Sequence, residues 1–120
     1  MNITPVTLYR FGSINSPKMD NVRIYPRVPF DIETYEENDE IFVKGRAGGI
    51  STDANETKMI AKLKKGNYLW RLNQGIIYPD ELVLNNDTET HWCWQAAENM
   101  PLYKYKLALR RVAVLFEKMI

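Results

Sequence analysis

His91 is the only histidine in the chain and Cys93 the only cysteine. A multi-histidine zinc site, a cysteine-based metal cluster and an internal disulfide are therefore excluded. Any chemistry must come from hydroxyls, carboxylates, guanidinium groups and one imidazole. Those groups stand in short stretches far apart in the chain: Thr7-Leu8-Tyr9-Arg10, Gly48-Gly49-Ile50-Ser51-Thr52, Asp87, and Thr90-His91-Trp92. An arginine fork matches a pyrophosphate with two parallel hydrogen bonds, although Arg10 at a strand end can equally pair with a glutamate. Ser51 and Thr52 carry hydroxyls that can bind a ribose or a carboxylate, or else cap a helix. His91 is either an acid–base or ligand group, or a hydrogen-bonded structural residue.

The paired glycines bear on this choice. A phosphate-binding P-loop requires lysine and then serine or threonine after its last glycine, and Gly49 is followed by Ile50. The G-x-G-x-x-G spacing of a dinucleotide fingerprint is also missing. What remains is a turn with glycine at positive φ, leading to a helix cap drawn from Ser51, Thr52 or Asp53.

The elements that must position these residues follow from periodicity and punctuation. Pro5 to Phe11 is rich in β-branched and aromatic types and is closed by Gly12-Ser13, as expected of a first strand. Three prolines and the acidic cluster Glu33 to Glu40 mark residues 15–39 as a long connection, with short extended pieces near Val22 to Tyr25. Ile41 to Lys44 reads as a strand that Gly45 ends. Asp53 and Glu56 have capping-box spacing, so a helix is expected from there through Met59, Ile60 and Leu63 to a stop at Gly66. Tyr68 to Leu72, Leu82 to Leu84 and Thr90 to Ala96 are strand candidates. In the last, Trp92 and Trp94 share one face, read as core, opposite His91, Cys93 and Gln95. Pro101 suits a first helical position. Tyr105, Leu109, Val112, Phe116 and Met119 keep helical spacing to the last residues, with Lys104, Lys106, Arg110 and Arg111 on a basic face. Such a face is solvated or meets an acidic partner. The mixed order of strands and helices points to an α+β fold.

Composition narrows the function. A chain of 120 residues with 45% hydrophobic and 26% charged residues has the make-up of one globular domain. Sixteen basic and fifteen acidic residues leave a net charge of +1, which argues against a strong nucleic-acid footprint. The apolar run Val112 to Phe116 falls far short of the roughly 20 residues of a membrane span. The opening MNITPVTLYR does not have the pattern of a secretory signal peptide, so a reducing, cytoplasmic setting is expected.

In this order the motifs resemble the ADP-ribosyltransferase fold, and within it the small toxins that bacteria deliver by type VI secretion. The resemblance rests on Thr7 to Arg10, Gly48 to Ser51, Pro79-Asp80-Glu81-Leu82-Val83, Asp87, Thr90 to Trp92 and Met100-Pro101. It covers nearly the whole chain, and its specificity lies in the order of short motifs. It implies one domain over residues 1–120, an antiparallel split-sheet core with flanking helices, and NAD as the bound cofactor. By the same resemblance Tyr9, Arg10, Gly49, Ser51, Thr52 and His91 belong to the NAD site, and Ser51, His91 and Asp87 to catalysis. It further implies a macromolecular acceptor of ADP-ribose, a cognate immunity protein, and export into a target-cell cytoplasm by a route without a signal peptide. One departure stands out: no Glu-x-Glu or Gln-x-Glu pair follows Ser51. Asp87, Glu89 and Glu98 are the late carboxylates, so a binding module without turnover is a second reading. An RNA-directed phosphotransferase of the same fold is a third.

Overall fold

The computed structural model describes residues 2–120. Nine strands and two helices follow in the order β1 (Leu8–Gly12), β2 (Ile32–Glu37), β3 (Glu40–Gly48), β4 (Ile50–Asp53), α1 (Glu56–Ala61), β5 (Tyr68–Leu72), β6 (Leu82–Thr88), β7 (His91–Ala96), β8 (Met100–Pro101), α2 (Leu102–Ala113) and β9 (Glu117–Lys118). The strands form a six-stranded sheet, β6-β7-β4-β1-β5-β9, and a three-stranded sheet, β2-β3-β8. Every pairing is antiparallel. This is the α+β class expected, with the antiparallel strands split between two sheets.

Residues opposite one another in antiparallel strands share a face. One face of the larger sheet carries Leu8, Ile50, Leu72, Leu82 and Trp94, all essentially fully buried in the main core. Helix α2 covers this core through Tyr105, Ala108, Leu109 and Val112. Trp94 lies at its centre, edge-on to Tyr78 with ring centroids 5.1 Å apart. The opposite face carries a smaller cluster, in which Met59 of α1 packs on Tyr9 and Leu69.

The acidic run is not a connection, because Ile32–Glu37 is strand β2. It turns back into β3 through Asn38 and Asp39, both at positive φ (52° and 62°). A two-residue turn of this kind matches strand twist and suits asparagine and aspartate, which outweighs the repulsion of the surrounding glutamates. Residues 13–31, including Val22 to Tyr25, contain no strand or helix. They are anchored by the fully buried Met19. Gly45 does not end a strand either: β3 runs through it, and its missing Cβ lets the backbone of Glu98 approach.

The helix boundaries also differ from expectation. Asp53 is the last residue of β4, and the α1 cap is Asn55, whose side chain accepts from the Lys58 N–H. Helix α1 ends at Ala61, and Gly66 (φ 91°) serves the turn that follows. Met100-Pro101 pairs with β3 as β8 and leaves Pro101 at the N-cap of α2. The apolar repeat to Met119 outlasts its helix. Beyond Ala113 the chain turns, Phe116 stays in the core, and β9 adds to β5 as an edge strand. No helix among the described residues is long and apolar enough to cross a membrane.

Candidate functional site

The two central strands of the larger sheet barely meet. β1 and β4 pair at one position, Tyr9 opposite Asp53, and then diverge. Arg10 bridges the gap. Its Nη1 donates to the Ser51 carbonyl at 2.7 Å, while Nε and Nη2 donate to the carbonyls of Pro17 and Lys18 at 2.8 and 3.0 Å. Three of the five guanidinium N–H groups are thus committed to backbone. The expected pyrophosphate ligand is first of all a clamp that holds residues 17–18 and β4 to β1. Burial lowers the Arg10 pKa, yet a guanidinium stays charged at neutral pH.

A cleft of about 320 Å³ opens over the splayed strands on the α1 side, within the size range of small-molecule sites. Arg10, Ser51 and His91 line it together. The register explains why. Ser51 and Asp53 sit on the same face of β4, and Asp53 is opposite His91 in β7, so all three project to the α1 side. Ser51 is exposed, and no group among the described residues bonds its hydroxyl. His91 is held from behind by Asp87, whose Oδ1 lies 2.5 Å from Nδ1. That contact leaves Nε2 as the ring atom available to a ligand. The Asn86 side chain donates to the carbonyls of Glu89 and His91, steadying the β6–β7 turn beneath the pair.

Other expected site residues are placed differently. Thr52 borders the cleft, but its hydroxyl is turned into the core, donating to the Trp92 carbonyl (2.9 Å) and accepting from Trp94 Nε1 (3.1 Å). The Tyr9 hydroxyl donates to Glu56 at 2.8 Å and ties α1 to the sheet. Gly49 does not line the cleft. A Cβ there would lie 2.1 Å from the Trp94 carbonyl oxygen, so close strand approach accounts for this glycine. Gly48 is the one at positive φ, 84°. Of the two glycines, then, one turns the chain, the other lets two backbones touch, and neither contacts the cleft.

Of the late carboxylates, Asp87 alone bonds a cleft side chain. Glu89 occupies the β6–β7 turn at φ 36°, and Glu98 lies against Gly45 of β3. Sequence reasoning missed five cleft residues. They are Phe11 from β1, Asp53 from β4, and Lys58, Met59 and Lys62 from α1 and the turn after it. The same-face alternation of Tyr9 and Phe11 was a usable signal for the first; the helix residues needed the docking of α1. Asp53, expected as a cap, is a buried strand carboxylate whose Oδ2 pairs with Lys58 Nζ at 2.9 Å and whose Oδ1 accepts the Asn55 N–H. On the basic face of α2, Arg110 pairs with Asp20 and Arg111 with Glu81, so part of that charge is consumed internally.

Two titrations bear on the chemistry. Burial pushes the Cys93 thiol up to about 11, so it is protonated at neutral pH and unsuited to nucleophilic attack. For Asp53, burial acts to raise the pKa, but the Lys58 ion pair and the Asn55 N–H outweigh it and the net shift is downward. A depressed folded-state pKa stabilises the fold above the unfolded value of about 3.9, and that contribution disappears as pH falls through the folded pKa. Asp53→Asn is therefore expected to lower stability at neutral pH. In urea melts at a series of pH values, the gap to wild type should close as pH drops below about 4.

With this geometry established, the chain can be compared with known families. A family model described as Tse2 ADP-ribosyltransferase toxin matches residues 6–119, nearly the whole chain. No curated protein matches it.

Proposed function

The chain belongs to the Tse2 ADP-ribosyltransferase toxin family, and on that premise we propose that it cleaves the nicotinamide–ribose bond of NAD in the cleft between β1 and β4. ADP-ribose then passes to a macromolecule inside the target cell, or to water. The observation that carries this reading is the meeting of Ser51 and the Asp87–His91 pair in one cleft walled by Arg10.

NAD supplies the ADP-ribosyl group and a nicotinamide leaving group. The protein's own residues do the rest. Ser51 offers a hydroxyl to the nicotinamide ribose at the cleft floor. Asp87 fixes the tautomer and orientation of His91, and Nε2 of His91 takes the proton of the incoming nucleophile as it bonds to the ribose carbon. Phe11 and Met59 supply an apolar wall that excludes water and suits a nicotinamide ring. Lys58 is held by Asp53 at the rim. The toxin acts in the cytoplasm of a target cell after export, and a cognate immunity protein covers the cleft in the producer.

The test is nicotinamide release from NAD and labelling of cell lysate by the purified chain, alongside growth and NAD content of cells that express it. Ser51→Ala is expected to lower turnover about 100-fold, as loss of a transition-state hydrogen bond does. Its strand position is exposed, so stability should change by no more than about 0.5 kcal/mol. NAD binding with no nicotinamide release by wild type would instead identify a binding module without turnover.

A further inference from the structure

Two further cavities open beside the cleft, of about 440 and 330 Å³. The larger shares Phe11 and Lys62 with the cleft, and the smaller shares Phe11 and Asn67 with the larger, so the three make one continuous groove. Beyond Phe11 the polar lining of the two includes Lys18, Asn21, Lys62, Lys64 and Asn67, and it contains no carboxylate. Neither is walled by β4, so a ligand in them leaves the Arg10–Ser51 bond closed.

Positive charge gathers here although the chain as a whole is near neutral. Residues 57–68 hold four lysines and no carboxylate. Lys58 is paired with Asp53. Lys62, Lys64, Lys65 and Lys18 enter none of the ion pairs among the described residues, and all four are exposed. The balancing acid stands elsewhere. Five of the fifteen acidic residues lie at 33–40 in the β2–β3 hairpin, and without them the net charge of +1 would be +6. A total near zero is thus an average over a segregated surface, and it does not exclude an anionic polymer from one face. A basic end complements the dipole of α1, which accounts for Lys58 and Lys62. It does not account for Lys18, which a distant segment brings to the same groove, with its carbonyl fixed by Arg10 Nη2 at 3.0 Å.

We propose that this groove is a track for single-stranded nucleic acid, and that the macromolecular acceptor of ADP-ribose is such a strand. Lysines spaced along a groove meet successive phosphates, and the half-buried Phe11 offers a ring on which a base can stack. The amides of Asn21 and Asn67 can bond base edges. An acidic protein loop would satisfy the lysines but would leave the aromatic ring and the amides without a role. A duplex keeps its bases stacked inside and presents none at Phe11. Because Phe11 also borders the cleft, a strand in the groove is brought to the nicotinamide ribose. In the transfer, the bond between nicotinamide and the ribose C1′ breaks, and its electron pair leaves with nicotinamide. A base nitrogen or a hydroxyl oxygen of the strand bonds to C1′, and the proton it loses passes to Nε2 of His91. That step rests on the function proposed above; binding of the strand does not.

Fluorescence anisotropy with labelled RNA and DNA strands of about 12 nucleotides, within the span of single-strand grooves, tests the track over a series of salt concentrations. Duplex DNA and poly-glutamate serve as competitors, and the tighter of the two labelled strands identifies the acceptor. Lys18→Glu/Lys64→Glu reverses two exposed charges outside every ion pair, and its Tm should match wild type. It is expected to weaken strand binding about tenfold or more, and to flatten the log–log salt dependence by about 1.4, as loss of two phosphate contacts on a single strand does. Lys104→Glu/Lys106→Glu makes the same change on α2, on the opposite face of the sheet from α1. It should stay within about twofold of wild type at physiological salt, where charges beyond about 8 Å are screened. With labelled NAD and a cell lysate, wild type should leave label in material that nuclease destroys and protease does not.

No strand binding by wild type, equal losses in the α2 variant, or poly-glutamate competing as well as the strand would each overturn the track, the last in favour of an acidic protein acceptor. Label confined to protein would overturn the nucleic-acid acceptor. Lysine-dependent strand binding without any nicotinamide release would leave the track standing and remove the enzymatic reading. Nicotinamide release without strand binding would do the reverse.

Discussion

Replacing His91 by alanine is expected to lower nicotinamide release from NAD about 1,000-fold while the protein stays folded, because a positioned acid–base group typically contributes a factor of 10²–10⁴. The side chain is 30% exposed and its one recorded partner is the 41% exposed Asp87, so little packing is lost. Asp87→Asn makes the companion measurement. An asparagine can keep the ring in place, but an amide N–H facing Nδ1 favours the tautomer with the proton on Nε2, so turnover should fall at least as far, up to about 10⁴-fold. If both variants match wild type in turnover, the imidazole is a structural group of the β6–β7 turn and the proton goes elsewhere. The effect should be on kcat more than on KM, since proton transfer to Nε2 belongs to the transition state.

Arg10→Lys is expected to damage fold and activity together. Arginine serves three carbonyls from three nitrogens in one plane, reaching residues 17–18 on one side and Ser51 on the other. A lysine ammonium is a single point of donation and leaves at least one of these carbonyls without its partner. The cost is about 2–3 kcal/mol, reduced from the fully buried figure because solvent reaches part of the site. For a chain of this size that corresponds to a fall in Tm of about 10 °C. Turnover should drop about 100-fold or more, as the strand carrying Ser51 loses its tether, and Ser51→Ala provides the contrast of lost turnover at wild-type Tm. A folded Arg10→Lys protein with unchanged Tm would mean that the clamp across the β1–β4 gap contributes nothing.

Much of this molecule was legible before any coordinates. Alternation in Thr90 to Ala96 placed Trp94 in the core and His91 on the other face, and it did so because side-chain direction along a strand has a period of two. The order of short motifs from Thr7-Leu8-Tyr9-Arg10 to Met100-Pro101 pointed to the family whose model covers residues 6–119. Composition alone set the absence of disulfides and the near-neutral charge.

Local pattern failed where two local solutions compete. Asn38-Asp39 in a run of glutamates reads as solvated chain or as a hairpin turn, and only pairing with β3 selects the turn. Asp53 and Asn55 are both good caps, and the demand of β7 for Asp53 as a strand residue left the cap to Asn55. The helical repeat at the C-terminal end continues past Ala113, but β5 offered an open edge that β9 could fill.

The tertiary structure alone decided where the candidate site residues face. Ser51 and Thr52 are neighbours with similar hydroxyls, and sequence cannot say which faces a ligand. The registers of β4 against β1 and β7 send Ser51 to the cleft and bury the Thr52 hydroxyl between Trp92 and Trp94. Arg10 likewise announces a cation, but only the divergence of β1 from β4 reveals that most of its hydrogen-bonding capacity goes to backbone. The reason is one of range. Periodicity, capping and composition are set by residues a few positions apart, so the sequence displays them directly. Strand partners, ion pairs and the clamp of one arginine from β1 to β4 join residues tens of positions apart, and these exist only once the chain has closed on itself.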